Sequence, residues 1–122
     1  MIDNMSVTFR EVCDGGYIKI VRFFLGQRNN VHASTDWALC LASDNGHTEV
    51  VRLLLENGAD VHANNDYALQ WASINGHFEI VQLLIEKGAD VHAYNDLAYR
   101  LASLNCKTEV VKLLQEHMDK EE

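Results

Sequence analysis

Residues 72–93 read ASINGHFEIVQLLIEKGADVHA, and residues 42–63 read ASDNGHTEVVRLLLENGADVHA. The offset between the two is thirty residues. Working outward, the same frame opens each time on a Val-His-Ala-x-x-Asp hexapeptide: VHASTD at 31–36, VHANND at 61–66 and VHAYND at 91–96. Residues 31–60 laid over 61–90 give nineteen identities in thirty positions, and residues 91–120 keep fourteen of the thirty residues of that middle copy. The pattern also runs back towards the start of the chain. Phe9, Val12, Gly16, Ile20, Val21, Phe23 and Phe24 stand where Leu39, Ala42, Gly46, Val50, Val51, Leu53 and Leu54 stand thirty residues later. Self-similarity at a fixed period of this size marks a repeat architecture. Four units result: a degenerate unit at 1–30, full units at 31–60 and 61–90, and a last unit at 91–122.

Each unit reads as two short helices. In the third, Ala68, Leu69, Ala72 and Ser73 recur at helical spacing on one face. Asp66 stands where a side-chain oxygen would cap the first N–H groups of that helix. Asn75-Gly76 then stops it, since glycine enters the left-handed conformation at a helix end without steric cost. The second helix begins near His77, buries Ile80, Val81, Leu83 and Leu84, and ends at Gly88. A pair of helices this short cannot bury its apolar stripe alone, but stacked on copies of itself it can. Ala42, Ala72 and Ala102, with Ser43, Ser73 and Ser103, fall where neighbouring helices would approach most closely.

The stretch 72–93 is similar to the ankyrin consensus, running from the end of a first helix through GH-x-E-[IV]-V-x-x-L-L and on to GAD-V. The resemblance covers nearly the whole chain. It implies an all-α ankyrin-repeat solenoid of four stacked helix-turn-helix units. Two departures stand out. The family's usual TPLH is WALC at 37–40, YALQ at 67–70 and LAYR at 97–100, and proline is absent from the chain. The period of thirty is also shorter than the ordinary ankyrin unit of about 33 residues. Because the frame matches from Ala72 to Ala93 without a gap, the shortening lies between Ala63 and Leu69. Ordinary ankyrins place a β-hairpin finger there, so the fingers are expected to be shortened or absent, with a tight turn instead. Asp-x-Ala-Leu frames at this pitch resemble the ankyrin arrays of giant DNA viruses of amoebae. The degenerate ends resemble capping units: Arg28-Asn29-Asn30 stands in place of Gly-Ala-Asp, and Cys106 and Lys107 replace Gly76 and His77. On that reading the array is complete.

Bulk composition narrows the function. A single domain is expected from 13.8 kDa, of which 48% is apolar and 23% charged. A formal net charge of −8 disfavours nucleic acid and anionic lipid and favours a protein partner with a basic surface. Cys13, Cys40 and Cys106 are too few and scattered for a disulfide framework. With neither a membrane span nor a signal-peptide core at the start, the expected location is intracellular and cytoplasmic. If the chain is virally encoded, that means the host cytoplasm.

His32, His62 and His92 form a ladder with one rung per unit, and histidine is the commonest metal ligand. Stacked units place equivalent positions roughly 10 Å apart, whereas a zinc ion needs its ligands about 2 Å away. The resemblance implies hydrogen bonding to backbone instead, here and for His47 and His77 of the Gly-His pairs. No GxSxG, HExxH, P-loop or CxxC occurs, and Cys40 aligns with Gln70 and Arg100, which suits a surface position. Neither catalysis, cofactor nor metal is expected. Glu49, Glu79 and Glu109 complement the positive ends of the second helices. Glu56, Glu86 and Glu116 form a second row, read as a solvated face that could also meet a basic partner.

Positions that differ between otherwise repeated units are free of the stacking constraint. They are 34, 35, 37, 40, 41 and 44, with their equivalents thirty and sixty residues on, and fall on the turn and the first helix. The candidate protein-binding residues are therefore Asn64, Asn65, Tyr67, Gln70, Ile74, Tyr94, Asn95, Leu97, Arg100 and Leu104. Tyr67, Tyr94 and Arg100 are expected to be exposed, and Trp71, aligned with Leu41 and Leu101, to be buried. The expected function is recognition of a protein partner by a monomeric scaffold. The alternative is a structural or self-associating repeat protein. If Ala72 sits at a close approach, Ala72→Leu should overpack it and cost about 1–3 kcal/mol, read as a fall in the thermal midpoint.

Overall fold

The computed structural model describes residues 32–120; residues 1–31 and 121–122, and the side chains of residues 32–35, lie outside the description. The degenerate first unit, with Cys13 and Arg28-Asn29-Asn30, therefore lies outside the described residues. Six helices follow: α1 (His32–Asn45), α2 (Thr48–Glu56), α3 (Ala63–Ile74), α4 (Phe78–Glu86), α5 (Ala93–Leu104) and α6 (Thr108–Lys120). No strand occurs among the described residues. Within each unit the two helices pack on each other. The first helices α1, α3 and α5 stack in one layer, and the second helices α2, α4 and α6 in another. This is an all-α repeat solenoid.

The core lies between the layers and repeats with the sequence. Leu39, Leu69, Leu54, Leu84 and Leu114 are at most 1% exposed, as are Val51 and Val81. Ala42, Ala72 and Ala102 are fully buried, as the small-residue pattern requires. Ser43 and Ser73 are fully buried too, and their hydroxyls have no hydrogen-bond partner. Ser103, in the last unit, is exposed.

The helix ends follow from the Asn-Gly and Gly-Ala pairs. At the end of α1 the N–H of His47 donates to Ala42 O at 3.0 Å, and at the end of α3 the N–H of His77 donates to Ala72 O at 3.0 Å. Each closes the six-residue loop of a Schellman motif, with Gly46 (φ +81) or Gly76 (φ +74) in the left-handed position. Gly46 serves a second purpose, because a Cβ there would lie 2.8 Å from Cε1 of His77 in the next unit. The missing side chain makes room for that imidazole, whose Nε2 meets Asp44 O at 3.0 Å. Thus His77 ties two units together through backbone, as the Gly-His pair implied. At Gly76 the same space holds the stem of Lys107, which replaces histidine in the last unit.

Where the second helices end, Gly58 and Gly88 have no counterpart in the last unit, because Met118 stands there instead. With no glycine to turn the chain, α6 runs on to Lys120 and Met118 packs against the core. Gly46→Ala is expected to destabilise more than Gly88→Ala, by about 1–3 kcal/mol. Both strain a left-handed residue, but nothing lies within 4 Å of a Cβ at Gly88. Paired thermal or urea unfolding measures the difference.

Candidate functional site

The connection between units decides which face is available. After Gly58 the chain makes a turn in which Asp60 Oδ1 accepts the His62 N–H at 2.9 Å. Asn64, Asn65 and Asp66 then all lie in the left-handed region, with φ of 56, 60 and 63°. Tyr94, Asn95 and Asp96 repeat this in the next unit with φ of 56, 58 and 60°. A single left-handed turn thus replaces the hairpin finger, and right-handed helix begins only at Tyr67 and Leu97. Asparagine and aspartate tolerate this conformation because their short polar side chains bond locally. Tyr94 has no such means and carries the strain.

Two expectations about the VHAxxD hexapeptide are corrected here. Asp66 does not cap its own helix. Its Oδ1 accepts the N–H of Asp90 in the next connection at 3.1 Å, as Asp36 Oδ1 accepts the N–H of Asp60 at 2.8 Å. With the turn left-handed, the carboxylate meets the following unit rather than its own first N–H groups. The ring of His62 is likewise bonded to a side chain rather than to backbone, and that of His92 also meets a carboxylate. His62 Nδ1 lies 3.0 Å from Asp66 Oδ1, and His92 Nδ1 lies 2.6 Å from Asp96 Oδ1. The side chain of His32 lies outside the described residues.

The turn also explains the variable position at 40, 70 and 100. Gln70, a candidate binding residue, is 6% exposed, and its Nε2 donates to Asn65 O at 3.1 Å. It therefore cannot offer a surface contact. Arg100 is exposed, but its Nε and Nη2 donate to Asn95 O and Tyr94 O at 3.0 and 3.1 Å. Cys40, expected at the surface, is 3% exposed, with Asn64 Nδ2 of the next unit 3.9 Å from its Sγ. Variation here reflects different ways of filling and bonding the turn.

Among the remaining candidates, Asn64, Asn65 and Asn95 are exposed at the turns, Tyr94 is 57% exposed, and Leu104 is 78% exposed. Ile74 and Leu97 are half-buried. Tyr67, expected to be exposed, is half-buried because its ring stacks on Trp37 with centroids 6.0 Å apart and planes at 16°. Trp71, expected in the core, is half-buried and meets Tyr67 edge-on at 5.4 Å and 87°. With Leu41 and Asp44, these three rings and Cys40 enclose a depression of about 110 Å³ on the first-helix layer. Trp37, Leu41 and Asp44 were not put forward as binding residues. The signal for them was present at the variable positions 37, 41 and 44, which place aromatic residues at 37, 67 and 71.

The second-helix layer carries a larger and more polar groove of about 400 Å³, lined by Thr48, Glu49, Arg52, Glu79, Gln82, Leu83 and Glu86. Arg52 Nη1 bonds Glu49 Oε2 at 2.9 Å along its rim. Glu56, Glu86 and Glu116 are exposed.

The family profile described as Ankyrin repeats (3 copies) matches residues 9–95 and 39–122. The chain belongs to the ankyrin-repeat family, whose members are generally protein–protein interaction modules and typically non-catalytic. No curated protein sequence matches it. Among the described residues no helix is long and apolar enough to cross a membrane.

Burial, the largest cause, pushes the Cys40 thiol from its ordinary value of 9.0 up to about 11, with Asp36 acting in the same direction and Asn64 opposing. A raised value leaves less thiolate at a given pH, and the thiolate is the reactive form. In a Cys13→Ser background at pH 8, exposed Cys106 should alkylate first. Cys40 should react roughly a hundredfold more slowly than a thiol at the ordinary value of 9.0 on thiolate fraction alone, and should speed up on denaturation. Mass spectrometry of the time course reads this.

Proposed function

We propose that this chain recognises a protein partner through the face of its first helices and the left-handed turns beside them, with no catalysis and no cofactor. The observation carrying this reading is the row of half-exposed apolar side chains along α1, α3 and α5: Trp37 and Leu41, then Tyr67 and Trp71, then Leu97 and Leu101. Exposed Leu104 and Tyr94 extend it. A continuous apolar surface rimmed by polar groups marks interaction sites, and tryptophan and tyrosine are enriched among residues that dominate interface energetics. The Asn64 and Asn95 side chains supply polar contacts at one edge.

With the fingers reduced to one turn, the surface presented is flatter than in an array with projecting hairpins. On this reading the chain is one domain of four units, with 1–30 and 91–122 as caps, and it acts as a monomer. The partner carries a basic surface, since the chain bears a formal net charge of −8. The short period also resembles the arrays of giant DNA viruses of amoebae, in which case the partners are host proteins of the infected cell's cytoplasm.

Selection of a displayed linear-peptide library against the full chain tests this. Enriched peptides should lose at least about tenfold in affinity for Tyr67→Ser/Leu104→Ser, a change of roughly 1.4 kcal/mol, while far-UV circular dichroism is unchanged. Equal binding to both proteins would reject the face. Sedimentation from about 10 to 100 µM should return a monomer; a dimer dispersed by Leu104→Lys would favour the self-associating alternative instead.

A further inference from the structure

Both tryptophans of the chain, Trp37 and Trp71, line the depression of about 110 Å³ between α1 and α3. Tyr67 stands between them. Its ring and that of Trp71 are nearly perpendicular at 87°, so a face of each bounds an inner corner. The ring of Trp37 stacks on Tyr67, nearly parallel at 16° with centroids 6.0 Å apart, and borders the depression on that side. Aromatic faces carry negative quadrupole potential and attract a cation held within about 6 Å of the ring centroid.

The remaining wall adds a fixed negative charge. Asp44 lines the same depression, and the next unit holds it in place. Asn75 Nδ2 donates to Asp44 Oδ1 at 2.6 Å and to its backbone O at 3.1 Å, and that backbone O also meets His77 Nε2 at 3.0 Å. Oδ2 has no partner among the described residues. No lysine or arginine lines the depression. Arg100, the one such residue on the described first helices, is bonded to the Tyr94 and Asn95 carbonyls instead. Neutral and anionic occupants fit less well. An aliphatic group would satisfy the rings and leave Asp44 Oδ2 without a partner, and an anion would meet that charge directly. An ammonium with its adjoining methylenes suits a depression of this lining.

We propose that the corner formed by Trp37, Tyr67, Trp71 and Asp44 seats the ammonium of a lysine side chain presented by the protein partner. This rests on the protein-recognition reading above and names the chemistry of its anchor. The rings take the methylenes and part of the charge, and Asp44 takes the remainder.

Because the chain has no other tryptophan, intrinsic fluorescence reports this corner directly. The full chain is titrated with three blocked tripeptides, Ala-Lys-Ala, Ala-norleucine-Ala and Ala-Arg-Ala. The lysine peptide should give a saturating change with a half-point on the order of millimolar, at least about fivefold tighter than the norleucine peptide. Asp44→Asn keeps an acceptor for Asn75 and should bring the two peptides within about twofold of each other. Raising the salt should weaken only the lysine peptide. Equal binding of lysine and norleucine would overturn the cation site and leave an apolar cleft, with the peptide-selection result unaffected. Tighter binding of the arginine peptide would overturn the assignment to lysine. No saturable change with any of the three would overturn the anchor altogether, whereas failure of the peptide selection would remove the protein-recognition reading as a whole.

Discussion

The left-handed turn between units is the constraint on which the rest of this solenoid depends. Three consecutive residues with φ near +60° reverse the chain in far less space than a hairpin. That is how a unit closes in thirty residues. The turn is costly for ordinary side chains, at about 1–2 kcal/mol per residue, so the sequence must hold it. It does so from two sides. Asp36 and Asp66 each accept an N–H of the next connection, and Gln70 and Arg100 donate to carbonyls of the turn itself. Hydrogen bonding of the turn and stacking of the units are therefore one structural event.

The available surface follows from that event. A projecting finger would stand beside the first helices. One left-handed turn projects little, so the aromatic side chains of α1 and α3 lie open along the layer. Burial in the core is set by the repeated Leu and Ala positions. The variable positions then divide by direction: 40 and 70 point into the turn and are buried, whereas 37, 41, 67 and 71 lie at the edge and remain half-exposed. The contact of His77 with Gly46 adds stiffness, since the ring fills the space left by a missing side chain in the unit before it. A surface built this way is preorganised, and preorganisation lowers the entropic cost of any association.

Much of the fold was legible because stacking makes each unit meet the same environment, and so repeat the same residues. Ala42, Ala72 and Ala102, the leucine pairs and the glycine stops all report such environments. The candidate site was legible only in part. Position 70 varies between units, yet variation there is not freedom from structural demand. The demand is present, but glutamine and arginine meet it with different donors. Trp71 failed as a core residue for a related reason: its aligned partners Leu41 and Leu101 are themselves only half-buried.

By itself, then, the sequence determined the helix pairs, their thirty-residue register, the buried alanine and leucine ladders, and the membership of a stacked all-α family. These are set by local periodicity and by residues that must recur. Only the tertiary structure decided that the turn is left-handed, that Asp66 bonds forward to Asp90, and that Trp37, Tyr67, Trp71 and Asp44 meet in one corner. Each of these depends on where one unit lies against the next. That distance and angle belong to no single thirty-residue stretch, and arise only when neighbouring units pack.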